Sequence, residues 1–297
     1  MIQFSKPHAR RGTLLLEYQT MKLHIITIVL DGMPCITWHL PVFNQLSLDW
    51  HWTIVHGTAD NVKDTSWCAK ITPRLSVDGT TEYLATLKGH PRITVLEQEL
   101  WPGKTAMCNA AIRDISDPCW LLQCDSDELW TAAQLNLLVE MFNNRPLGQS
   151  RNCARFFCRY FVGQNIVTCG EDSYGNNRTE WLRFWKFYPK LKFLSHEPPA
   201  LEGVNDYGPM GPYGQSMVSN EKGLSRYDSR SLSLVFDHYA YAFENQVAFK
   251  ETYYRYPDAV KHWKRLQAHP GPWPISRLKD FLPWVDERAM ADLLHKP

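Results

Sequence analysis

Three acids, Asp125, Asp127 and Glu128, fall together in the stretch LLQCDSDELW, where an apolar run ends abruptly. Asp125 and Asp127 are separated by one residue, so in extended backbone their side chains share a face. Two carboxylates on one face can hold a divalent cation, directly or through water. Mg²⁺ or Mn²⁺ takes only one or two carboxylates and completes its shell with water and substrate phosphates. The pair therefore suits a metal–diphosphate better than a structural metal cage, with the metal as a Lewis acid on a leaving phosphate. The plain alternative is a solvated turn. Acids just ahead of a helix are favourable in any protein, and so short a motif arises often by chance. Glu128 reads as such a helix-start charge rather than as a third ligand.

The surrounding elements weigh on that choice. KLHIITIVLDG (22–32) is a continuous β-branched run of the kind that forms a central strand covered on both faces. Helical spacing follows over 34–46, interrupted by Pro41. A second strand is expected over 50–57, a polar insertion over about 58–81, and a short helix over 82–89 closed by Gly89. RITVLEQ (92–98) is a third strand, 103–115 a helix, and CWLLQCD (119–125) a fourth strand. This alternation predicts an α/β fold with a doubly wound, mostly parallel sheet flanked by helices. Ligands of such sheets bind beyond the carboxyl ends of the strands. Asp31, the segment His56 to Asp60, Glu97 to Glu99 and the acidic knot all fall at those ends. The next helix opens on Thr131 and Gln134 with capping-box spacing and carries Leu135, Leu138, Val139 and Phe142 at helical intervals.

The second half is denser in aromatics. Strands are expected over 153–163, 180–194 and 232–242, and a helix over 244–256. The Gly/Pro-rich stretch 203–216 has the character of a lid. The domain reading is a loosely attached leader (1–20), a catalytic domain (21–256) split at 145/146 into nucleotide-binding and acceptor halves, and a C-terminal helical extension (257–297).

Composition narrows the class. A net charge of +1 gives no footprint for nucleic acid. The 12 tryptophans suit a sugar or base platform and equally an aromatic core. None of the eight cysteines forms a C-x-x-C pair, which speaks against a zinc ribbon and for a reducing, cytoplasmic setting. No apolar stretch approaches the ~20 residues needed to span a bilayer.

The opening IITIVLDGMPCITWHLPVF, the helix WPGKTAMCNAAI and the strand CWLLQCDSDELW together resemble glycosyltransferases of the GT-A fold, closest to family 2 and its relatives. EWLRFWKF, SHEPP and HYAYAFENQVAFKETYY resemble segments of a bacterial and viral branch, so the likeness covers about residues 22–265. The resemblance implies a nucleotide-sugar donor, a UDP-sugar foremost, a Mn²⁺ or Mg²⁺ ion, and inverting transfer to a glycan or other hydroxyl acceptor. On it, Asp125 and Asp127 hold the metal, and Asp31, His56, Asp60, Lys104, Asn109 and Asp125 border the nucleotide. The family commonly ends its second strand in an acid, whereas this chain has His56 and Gly57, which leaves UDP versus GDP open. His238 is preferred over His196 as a third metal ligand; a lone histidine on an apolar strand is otherwise more often a satisfied core residue. Glu197 is the preferred general base, with Asp172 and Glu171 competing. Tyr174, Trp181 and Arg183 could contact a sugar, while Trp185 reads as core. A nucleotidyltransferase is the alternative enzyme, although LDGMPCITW lacks the Gly-rich basic loop of that class; a non-catalytic carbohydrate-binding relative is the third reading.

Overall fold

The computed structural model describes residues 21–61, 65–144, 152–170, 173–176, 181–202 and 223–294. The expected leader, the Gly/Pro-rich stretch 203–216, Glu171 and Asp172 lie outside the described residues. In chain order the strands are β1 (Leu23–Val29), β2 (Trp50–Ala59), β3 (Ile93–Trp101), β4 (Cys119–Gln123), β5 (Glu128–Leu129), β6 (Cys153–Arg155) and β7 (Phe157–Tyr160). They continue with β8 (Ile166–Cys169), β9 (Leu182–Phe187), β10 (Phe193–His196), β11 (Pro199–Leu201), β12 (Gly223–Leu224), β13 (Val235–His238) and β14 (Met290–Leu293). The described helices are α1 (His39–Phe43), α2 (Thr80–Leu87), α3 (Lys104–Ile112), α4 (Ala132–Asn143), α5 (Arg226–Ser231), α6 (Glu244–Tyr253) and α7 (Ala259–Gln267).

Seven strands form the main sheet in the order β3-β2-β1-β4-β9-β6-β12. Pairing is parallel throughout except where β9 meets β4 and β6. Alternation along the central strands divides the core in two. Leu23, Ile25 and Val29 of β1 with Trp120 and Leu122 of β4 face one cluster; Ile26, Cys119 and Leu121 face the other. Helices α1, α2 and α4 cover the first face through Phe43, Leu84, Leu87, Leu135 and Leu138. Helix α3 covers the second through Met107, Cys108, Ala111 and Ile112. This is the doubly wound α/β architecture that the strand–helix alternation predicts. Each fully buried Leu, Val or Ile contributes about 1.5–3 kcal/mol relative to exposure, which is why the two-sided strands sit centrally.

The chain lays β1, β2 and β3 outward, then returns to place β4 on the other side of β1. That reversal opens a crevice beyond the carboxyl ends of β1 and β4. The expected capping box is present: Thr131 Oγ1 accepts from the Gln134 amide at 3.2 Å, and Gln134 Oε1 accepts from the Thr131 amide at 2.9 Å.

Several elements depart from the sequence reading. The stretch 34–46 forms a 3₁₀ turn (Cys35–Trp38) running into the short α1. Pro41 lies in the first turn of α1, where its missing N–H costs nothing. The run 153–163 divides at Phe156: β6 joins the main sheet, while β7 joins a small sheet ordered β5-β13-β7. Among its described residues the C-terminal segment is α-helical only over α7. Strand β14 pairs with β8, and Trp263, Leu266, Ile275, Leu278, Leu282 and Val285 belong to the main core. All eight cysteines are free thiols, seven of them buried. Among the described residues no helix is long and apolar enough to cross a membrane.

Candidate functional site

The end of β4 is fixed by β1. The Cys124 amide donates to Ile26 O at 2.9 Å, and Thr27 Oγ1 donates to Cys124 O at 2.7 Å. The chain then turns at once, with the Glu128 amide donating to Asp125 O at 3.0 Å. The short strand β5 pairs with β13 and sets His238 opposite Glu128, and the Tyr239 amide donates to Asp127 O at 2.8 Å. Both ends of the acidic turn are therefore pinned by backbone. Asp125 and Asp127 are left facing the crevice.

Each aspartate has a cationic setting. Strand β9 runs antiparallel to β4, so its start lies at the carboxyl end of β4 and delivers Arg183 there. Arg183 Nη2 reaches Asp125 Oδ2 at 3.2 Å, and His196 Nε2 lies 3.9 Å from Asp125 Oδ1. His238 Nε2 and Lys250 Nζ lie 3.5 and 3.8 Å from Asp127 Oδ2. Burial alone would raise the pKa of both acids. Arg183 and His196 outweigh it at Asp125, and His238 and Lys250 at Asp127, so both are held well below the usual carboxylate range. Lys250, on α6, is itself lowered by burial, partly offset by Asp127.

Glu128 is not a solvated helix-start charge. It is fully buried and receives Arg183 Nη2 at 2.7 Å and Nε at 3.0 Å. Burial pushes its carboxyl up to about 7, with the Arg183 charge opposing the rise. Arg183 thus bridges a wholly buried carboxylate to one that faces the crevice.

The crevice opens into a cavity of about 860 Å³ lined by Asp125, Asp127, Lys104, Glu197, His196, His238 and Lys250, with Tyr160, Tyr174, Trp181, Tyr241 and Tyr254 among its aromatic walls. Lys104, in the first turn of α3, is not an exposed lysine. Burial disfavours its charge, but Tyr254, Glu197 and Asp125 outweigh that and raise its pKa. Its Nζ lies 3.4 Å from Glu197 Oε2. Glu197 occupies the hairpin turn between β10 and β11. Burial would raise its carboxyl, and Lys104 outweighs that, leaving it lowered.

Other residues singled out in the sequence lie off the cavity wall. Asn109 clamps β10 to α3: its Oδ1 accepts from the Phe193 amide at 2.8 Å and its Nδ2 donates to Phe193 O at 3.0 Å. His56 is wholly buried between Glu97 and Ser76, its Nε2 2.9 Å from Ser76 Oγ. Asp31 is ion-paired with Arg74 and accepts from the Val77 amide at 3.0 Å. The Asp60 amide donates to Trp101 O at 2.8 Å, capping the strand pair. Trp185 is core, as the sequence reading expected. Lys250, Tyr254, Asp286 and Arg288 line the cavity without having been marked in the sequence. Their signal there is weak, because helix and tail positions of this kind look like ordinary amphipathic surface.

A divalent cation fits this donor set in one form only. Among the described residues no three His, Cys, Asp or Glu side chains converge as a ready-made cage. The cavity wall carries four acids (Asp125, Asp127, Glu197, Asp286) and four bases (Lys104, Arg183, Lys250, Arg288), which balance in formal charge. A doubly anionic diphosphate alone would meet no net attraction. A hydrated Mg²⁺ or Mn²⁺ held by one or two carboxylates restores it, in the manner typical of such ions.

The sequence matches no protein-family profile and no curated protein. Solved structures of S. aureus TarS overlap with it at low similarity. TarS 1-349 gives a TM-score of 0.39 at 14% identity, covering 56% of this chain and 47% of that one. The same TarS piece in complex with UDP-GlcNAc gives 0.38 and 14%, covering 56% and 45%; in complex with UDP it gives 0.38 and 14%, covering 56% and 47%. This chain thus spans less than half the length of those structures. Likeness at this level says nothing of substrate or activity, which rest on the geometry of the site itself.

Proposed function

We propose that the protein is a metal-dependent glycosyltransferase that moves a sugar from a nucleoside-diphosphate donor, a UDP-sugar foremost, to a hydroxyl acceptor with inversion. One observation carries the reading: two ionised aspartates at the carboxyl end of the switch-point strand share a cavity with the half-buried lysines Lys104 and Lys250. A Mg²⁺ or Mn²⁺ ion held by Asp125 and Asp127 would supply Lewis-acid stabilisation to the leaving diphosphate. Arg183 fixes the Asp125 carboxylate, and His238 orients that of Asp127. Lys104 and Lys250 line the wall where phosphate charge would develop, the setting in which placed basic groups stabilise a leaving anion.

In the transfer, the acceptor oxygen attacks the anomeric carbon. The carbon–oxygen bond to the diphosphate breaks, and the leaving group departs with that electron pair. The acceptor proton passes to Glu197, which its pairing with Lys104 keeps ionised. When Lys104 turns toward donor phosphate, Glu197 loses its cation and becomes a stronger base. Aromatic walls at Tyr160, Tyr174 and Trp181 suit the apolar faces of sugar rings.

The test is nucleotide release across a panel of UDP-sugars with Mn²⁺ and simple glycan acceptors. At least one donor should turn over. Asp125→Ala/Asp127→Ala should lower that rate by at least about 100-fold, and Glu197→Gln by roughly 10²–10⁴-fold with donor binding retained. Nucleotide affinity with no turnover of any donor would favour a binding protein instead.

A further inference from the structure

We propose that the stacked pair Trp67–Tyr254 is the platform on which the nucleobase of the donor lies. The proposal rests on the nucleotide-sugar reading of the cavity and adds where the base goes and what recognises it.

The place where a base would otherwise lie, over the carboxyl ends of β1 and β2, is filled by the chain itself. Residues 74–80 fold back onto those ends. Arg74 pairs with Asp31, and Ser76 Oγ accepts from the Asp31 amide at 2.7 Å while contacting His56. Asp78 Oδ2 accepts from the Met33 amide at 2.8 Å, and Thr80 Oγ1 from the Gly32 amide at 2.9 Å. The polar groups of Asp31 and His56 are thereby engaged, so a base must find another seat.

Trp67 supplies one. It lies on the same connection, between β2 and α2, and lines the cavity beside Lys104 and Tyr254. Its ring stacks on Tyr254 with centroids 5.2 Å apart and planes 11° from parallel. Tyr254 is a cavity wall, yet Trp67 remains 56% exposed. A large flat ring held over a cavity with that much surface uncovered is an informative exception to burial. The described residues on either side of it are tied down: the Ala69 amide donates to Tyr253 O at 2.7 Å, Asn61 Nδ2 donates to Cys68 O at 2.7 Å, and Thr65 Oγ1 lies 3.3 Å from Tyr253 Oη. The platform is therefore preorganised rather than assembled on binding.

The order of groups along the wall matches a nucleoside diphosphate. Trp67 and Lys104 both come from the first βαβ half, the half that binds a mononucleotide in doubly wound folds. The charge of Lys104 is felt by both Asp125 and the Tyr254 hydroxyl, and its Nζ lies 5.8 Å from the centroid of the adjacent Tyr253 ring. A diphosphate at the aspartates, alongside Lys104, leads its nucleoside toward Tyr254 and Trp67. Trp181, packed on His238 beside Asp127, and Tyr174, packed on Tyr160, are left for sugar and acceptor.

The test compares UDP with inorganic pyrophosphate as probes, each titrated calorimetrically with Mn²⁺ into the wild type, Trp67→Ala and Trp67→Phe. Trp67→Ala should weaken UDP by roughly 5- to 150-fold, the range of base–aromatic stacking losses, and leave pyrophosphate unchanged. Trp67→Phe, which keeps a flat ring, should retain most of the UDP affinity. Unchanged UDP binding in Trp67→Ala overturns the platform alone, as does an equal loss of both probes in Trp67→Ala and Trp67→Phe. A wild type that binds neither probe overturns the diphosphate site and the platform with it.

Discussion

Arg183 is the side chain on which the acidic turn depends. It is buried and bridges Glu128, inside the protein, to Asp125 at the cavity wall. Removing one partner of a buried ion pair leaves an uncompensated charge, which costs more than the pair itself contributes. Arg183→Met should therefore destabilise the fold by about 3–5 kcal/mol, measured by urea denaturation. The two cavity aspartates also set a pH dependence. Their folded pKa values lie below those of the unfolded chain, so their contribution is fully present above the unfolded value of about 4 and is lost as pH falls through the acid range. The unfolded state binds more protons there. Asp125→Asn/Asp127→Asn should flatten that part of the stability–pH curve below about pH 4, and an unchanged slope would remove the electrostatic account of the pair. At this scale the sequence was half legible. Asp125 and Asp127 declared themselves by spacing after an apolar strand. Glu128 did not, because its partner lies 55 residues away on β9, and nothing local separates a buried acid from a solvated one.

Elements bring those residues together, and here the pairing that matters is non-local. Strand β4 was legible because five consecutive buried residues precede the acids. The role of β9 was not, since its antiparallel pairing with β4 decides that Arg183 lands at the site and Trp185 in the core. The aromatic run 153–163 read as one strand because each half is apolar; the division follows from Phe156 donating its amide to Trp181 O at 3.0 Å. The motif helix α3 was expected to place Asn109 against a nucleotide. The residue instead joins both backbone groups of Phe193 and so holds the β10–β11 hairpin that carries His196 and Glu197. Asn109→Ala leaves those groups without their side-chain partner and should cost about 1–3 kcal/mol. Turnover should fall further than affinity for UDP, because the hairpin carries the proposed base while the aspartates stand on another strand. Equal losses of turnover and affinity would place Asn109 at the nucleotide after all.

At the scale of the whole molecule, the C-terminal segment is part of the core rather than an appendage to it. Trp284 stacks on Tyr256 with centroids 4.9 Å apart, and β14 closes against β8. Asp286 and Arg288 from the same segment reach the cavity. The sequence read it as a helical extension punctuated by prolines, and only the assembled fold shows where it packs. Deleting residues 257–297 should abolish cooperative unfolding, followed by near-UV circular dichroism; a truncated chain that melts as sharply as the full one would show the segment to be dispensable. The doubly wound sheet, by contrast, was readable throughout its first half, where strand and helix alternate and each strand end carries polar residues. What that sheet presents is a near-neutral cavity with two ionised aspartates, and the central claim is that they bind a metal–diphosphate. The most direct measurement is calorimetric titration of UDP into the wild type and Asp125→Ala/Asp127→Ala, with Mn²⁺ and with EDTA. Saturable binding by the wild type with Mn²⁺ is expected, lost on chelation and lost in the double variant. UDP binding of equal strength in the double variant, or without the metal, would contradict the claim.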